Sequence, residues 1–70
     1  MTNTDLEKIF TYHNPVNDQA VRYNTLRDSA KKLAFLINES CPDSREKSLA
    51  ITSLQQTVMW ANASIAINES

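Results

Sequence analysis

The residues best suited to chemistry are cations. Arg22, Arg27, Lys31 and Lys32 lie close together with Asp28 as the one acid among them, and the run Phe10-Thr11-Tyr12-His13-Asn14 precedes them. Arg27 and Lys31 are four apart, which places them on one face of a helix. A base stacks on an aromatic ring or a guanidinium plane, and Arg and Lys neutralise phosphate, so this combination suits a nucleotide. A solvated helix face also accounts for the cations, and a packed Tyr12 for the aromatic.

Other chemistries find no support. Ser and His residues form no recognisable triad motif, and a chain with no glycine has no Gly-rich loop to cradle phosphates. One His and one Cys leave no zinc ligand set, and the acids are not paired with His at a helical spacing. No enzyme activity, no cofactor and no metal are therefore expected. A formal net charge of -1 gives no global basic field, which disfavours a nucleic-acid polymer as partner. The start, Met1 to Asp5, has neither a basic nor an apolar stretch and predicts a cytoplasmic protein. Asn-x-Ser triplets at Asn38, Asn62 and Asn68 then read as chance matches.

Helices must position these residues, because tight β-hairpin turns lean on glycine. From 17 to 40, apolar residues recur at Ala20, Tyr23, Leu26, Ala30, Leu33, Ala34 and Ile37, one face of a long helix. Pro15 biases Asn14 away from helix, which predicts a start at Asn17 or Asp18. Residues 1–16 form an arm with a short helix from Asp5 to Phe10, whose Leu6, Ile9 and Phe10 are expected to pack on the rest. Cys41-Pro42-Asp43 ends the first helix. Asp43 is expected to cap the second, with Glu46 completing a capping box. The second helix, 43–68, carries Ile51, Leu54, Val58, Ala61 and Ile65 on one seam, and so short a connection predicts antiparallel neighbours.

The expected fold is all-α, an antiparallel helical hairpin with a short N-terminal helical arm in one domain spanning 1–70. Two helices bury too little to offset chain entropy alone, and no internal disulfide is available, so a homo-oligomer is expected. No charged residue occurs from Ser48 to Asn68. Gln55, Gln56 and Asn62 argue against a membrane span, whereas Met59 and Trp60, off the seam, point to burial between subunits. A polar, solvated face is the alternative.

Several strings add a resemblance. FTYHNP at 10–15, YNTLRDSAKKL at 23–33, CPDSREKSLA at 41–50 and VMWANA at 58–63 are similar to the phage anti-CBASS cyclic-nucleotide sponge family over roughly residues 10 to 68. The resemblance implies helical hairpins that form a hexamer. In the cytoplasm of the infected bacterial host they would sequester cyclic dinucleotides such as cyclic GMP-AMP without cleaving them. It implies Tyr12 and Arg27, from different protomers, as the aromatic and basic residues that sandwich the bases, with His13, Asn14 and Lys31 as neighbours. It also implies a second, cyclic trinucleotide site through Ser29 and the C-terminus. There Asn68 stands with no Arg or Lys after Lys47, so neutral donors would have to hold three phosphates. A helical protein-interaction adaptor and a small DNA-binding regulator are the alternatives.

Overall fold

The computed structural model describes residues 2–69. Three helices follow in order, α1 (Asn3–Phe10), α2 (Gln19–Ser40) and α3 (Arg45–Asn68), and no strand occurs among the described residues. α1 starts two residues before the expected Asp5, because Thr2 caps it. The Thr2 hydroxyl accepts from the Asp5 backbone N–H at 3.1 Å, and the Asp5 carboxylate accepts from the Thr2 N–H at 3.2 Å. The Thr2 N–H, helped by the Thr2 side chain beside the carboxylate, holds the Asp5 carboxyl below its ordinary range. Leu6, Ile9 and Phe10 stay exposed, contrary to expectation. Two turns offer little apolar surface to a hairpin whose seam its own residues already fill.

The linker sets where α2 begins. Asn17 takes a left-handed φ of 53°, a conformation that Asn tolerates better than most residues. The Val16 carbonyl accepts from the Gln19 N–H at 3.0 Å, while the Gln19 side-chain oxygen accepts from the Val16 N–H, also at 3.0 Å. This closed turn moves the start of α2 from 17 to Gln19. At the other end Cys41 is extended, as the residue before Pro42 should be, and its N–H donates to the Ile37 carbonyl.

Ser44, not Asp43, caps α3: its hydroxyl accepts from the Lys47 N–H at 3.1 Å. Moving the cap by one residue puts Lys47 at the third helical position, where no carboxylate can reach back, so the expected Asp43–Glu46 capping box does not form. Asp43 instead receives the Lys47 ammonium at 2.9 Å, which lowers its pKa.

α2 and α3 pack through Tyr23, Leu26, Ala30, Ala34 and Ile37 against Ile51, Leu54, Val58, Ala61 and Ile65, all half-buried. Leu33 lies outside this seam and is 45% exposed. The described chain measures 45 × 28 × 13 Å with a radius of gyration of 15.2 Å, against about 11 Å for a compact globule of this length. It is a single layer of helices. Among the described residues no apolar side chain is buried, and Gln19, at 4% exposure, is the one buried residue.

Gln19 belongs to a polar clamp that joins the two ends of the hairpin. Its amide donates to Glu69 Oε1 at 3.3 Å, and Arg22 Nη1 donates to Glu69 Oε2 at 2.9 Å, with Arg22 Nη2 bonded to Oε1. Asp18 adds a second carboxylate, 3.2 Å from Arg22 Nη2. The two-pronged Arg22 contact, helped by Gln19, pulls the Glu69 carboxyl down to about 2 from its ordinary 4.5, and Glu69 in turn raises the Arg22 pKa.

Two predictions follow from these contacts. Ser44→Ala should cost about 1 kcal/mol in denaturant unfolding, and Asp43→Ala less, because an exposed ion pair stabilises weakly. The reverse order would assign the cap to Asp43. The Glu69 pKa is depressed on folding, so its contribution is fully present above pH 4.5 and fades as pH falls from 4.5 toward 2. Glu69→Gln should therefore melt a few degrees below the parent chain at pH 7, and circular-dichroism melts should show that gap closing across this window.

Candidate functional site

Arg27 sits two turns into α2, and its guanidinium donates to the side-chain oxygen of Asn24 on the preceding turn. One turn further on is Lys31. Both line an open groove of about 400 Å³ between the two long helices. Ala30 and Ala34 of α2 and Ile51, Leu54 and Val58 of α3 form its apolar floor, and Gln55 and Met59 form the opposite wall. The floor is apolar because it is the solvent-facing edge of the α2–α3 seam, which a single layer leaves open. This volume falls in the range of small-molecule sites, about 300–1,000 Å³. Two cations beside an apolar trough suit a ligand with flat faces and anionic edges.

The expected four-cation patch is divided. Arg22 is taken up by Glu69 and Asp18 at the hairpin's open end, and Lys32 lies with Asp28 and Phe35 on a neighbouring surface that also includes Lys31. Arg27 and Lys31 remain as cations on the groove, and neither forms an ion pair among the described residues. Spacing alone could not separate Arg22 from them. The available signal was Glu69, the one acid near the end of α3, which an antiparallel pairing brings level with the start of α2.

Tyr12 lies in the linker after α1, 80% exposed. His13 is held in place: its Nε2 is 2.8 Å from the Lys8 carbonyl oxygen, so an N–H there donates to the last turn of α1. Asn14 is exposed ahead of Pro15. Tyr12, His13 and Asn14 do not line the groove of their own chain, whose walls come from α2 and α3 alone. Ser29 is exposed on α2 outside the groove, and the Asn68 amide donates to the Ser64 carbonyl at 3.0 Å, with the Glu69 carboxylate next in sequence. Gln55 and Met59 are the groove residues that the sequence did not single out as a ligand wall. They fall beside the seam, where periodicity cannot tell a groove wall from a solvated edge.

Among the described residues no group of His, Cys, Asp or Glu is arranged to hold a metal ion. No described helix is long and apolar enough to cross a membrane. No curated protein and no solved structure matches the chain. The family described as Acb2/Tad1, hairpin domain, matches residues 2–66, nearly the whole of the hairpin and its arm. With that match across all three helices, the chain belongs to the Acb2/Tad1 hairpin family, the anti-CBASS phage proteins that act as sponges for cyclic nucleotides.

Proposed function

We propose that this protein is a phage-encoded sponge that binds cyclic dinucleotides such as cyclic GMP-AMP in the cytoplasm of the infected bacterium and holds them without cleavage. The host's anti-phage effector is then starved of its signal. The observation that carries this is the groove of Arg27 and Lys31, two cations free of carboxylate partners beside an apolar trough. Family membership supplies the ligand class.

The protein acts as a homo-oligomer, a hexamer by family likeness. Tyr12 is solvent-facing and absent from its own chain's groove, so it is available to the groove of a neighbouring copy. A base would stack between that ring and the Arg27 guanidinium, while Lys31 and the Arg27 charge meet phosphate. His13 and Asn14 would approach with Tyr12 as hydrogen-bonding neighbours. Arginine suits this role because its planar group stacks and stays charged. Ser29 and Asn68, candidates for a cyclic trinucleotide, are weaker. The Asn68 amide is engaged with Ser64, the Glu69 carboxylate is engaged with Arg22, and no Arg or Lys follows Lys47.

Calorimetry with cyclic GMP-AMP tests the site. Tyr12→Ala and Arg27→Ala should each weaken binding by about fivefold to a hundredfold, as the loss of roughly 1–3 kcal/mol per stacked base requires. The mass of the assembly should be unchanged, and Lys32→Ala should bind like the parent. Retained affinity in both site variants would remove the assignment. Ligand recovered after proteolysis of the complex should be intact; linear products would make the protein a phosphodiesterase instead.

A further inference from the structure

The groove between α2 and α3 is rich in donors and poor in acceptors. Arg27 and Lys31 only donate, and along this stretch the backbone groups of both helices are bonded within their own helix. The aliphatic floor has no polar side-chain atom, and the Met59 sulfur accepts only weakly. Gln55 is therefore the one side chain on the groove with a good acceptor, its amide oxygen, and it carries an NH2 donor beside it. The Gln55 side chain is exposed and has no hydrogen-bond partner among the described residues. Gln56, the same residue type one position on, lies off the groove, because successive residues of a helix point about 100° apart.

We propose that Gln55 reads the edge of a base stacked on Arg27 and makes the groove select adenine over guanine. A base lying on the guanidinium at the α2 edge turns its rim toward the α3 wall, where Gln55 stands. Adenine carries one donor group, its exocyclic amine, next to a ring-nitrogen acceptor. The Gln55 carboxamide matches both at once: its oxygen accepts from the amine and its NH2 donates to the ring nitrogen. Guanine carries two neighbouring donor groups, a ring N–H and an exocyclic amine. A single amide oxygen serves one of them well, and the other is left facing cations or the apolar floor, with the loss that an unpaired donor brings. The neutrality of the amide matters too, since a carboxylate at 55 would draw on the charges of Arg27 and Lys31 that phosphate needs. This inference rests on the sponge proposed above and names the base that its groove takes.

Calorimetry of the full chain with cyclic di-AMP and with cyclic di-GMP tests this, the ratio of the two affinities being the readout. The parent chain should bind cyclic di-AMP about tenfold more tightly or better, the discrimination that a two-point amide contact to a base gives. Gln55→Leu, which keeps the bulk and removes the amide, should bring the two affinities level. Gln55→Glu should reverse the preference, because a carboxylate accepts from both guanine donors. Its charge weakens both ligands alike and so drops out of the ratio. Position 55 is exposed, so neither change should disturb the hairpin. Gln56→Leu should keep the parent ratio. A parent ratio that survives both changes at 55, or that Gln56→Leu abolishes as well, would overturn the role of Gln55. Equal binding of the two ligands by the parent chain, or a preference for cyclic di-GMP, removes the base selection and leaves the sponge standing. Binding of neither removes both.

Discussion

A hairpin of two helices is one layer thick, so each side chain on α2 or α3 can meet at most one helical neighbour and keeps solvent at its back. The 13 Å dimension expresses this directly, being little more than one helix diameter of about 10–12 Å. Every residue of the seam is half-buried and none is enclosed. A domain normally gains its stability from two packed layers around a core. Here the chain itself supplies one layer, and that openness leaves the groove beside Arg27 and Lys31 exposed to solvent.

Where apolar burial is thin, polar contacts fix the geometry. At the closed end, Ser44 caps α3 while Asp43 ties down Lys47, whose side chain is only 12% exposed. At the open end, Gln19 and Arg22 of α2 grip Glu69, just past the last turn of α3. The short turn at one end, the clamp at the other and the apolar seam between them set the register of the helices, and so place Arg27 and Lys31 on the same groove as Gln55 and Met59. The clamp also sorts the charges: by neutralising Arg22, it concentrates the positive potential at the groove.

The groove has cations and an apolar floor but no aromatic ring of its own, and the exposed Tyr12 lies on a linker that lines no part of it. An assembly would complete the site by supplying the missing ring, and would cover apolar residues such as Leu49 and Trp60 at the same time. Stability and ligand binding would then be gained in one step.

Much of the fold was legible in the residues. Helical periodicity is a local property of the backbone, so the seams Tyr23 to Ile37 and Ile51 to Ile65 could be read from spacing, and Pro42 marked the turn because its ring bars helix at the residue before it. The resemblance carried by the strings around that turn agrees with the family to which the chain belongs. Choices of one residue escaped, such as Ser44 over Asp43 at the cap and Gln19 over Asn17 at the start of α2. Each depends on which side-chain oxygen reaches a particular N–H, and sequence offers two candidates of similar propensity. The arm's failure to pack escaped as well, since composition does not say whether a docking surface is vacant. Only the tertiary structure decided which cations line the groove. Arg22 and Arg27 look alike on one helix, and what separates them is a carboxylate 47 residues away that the antiparallel register brings to Arg22 alone.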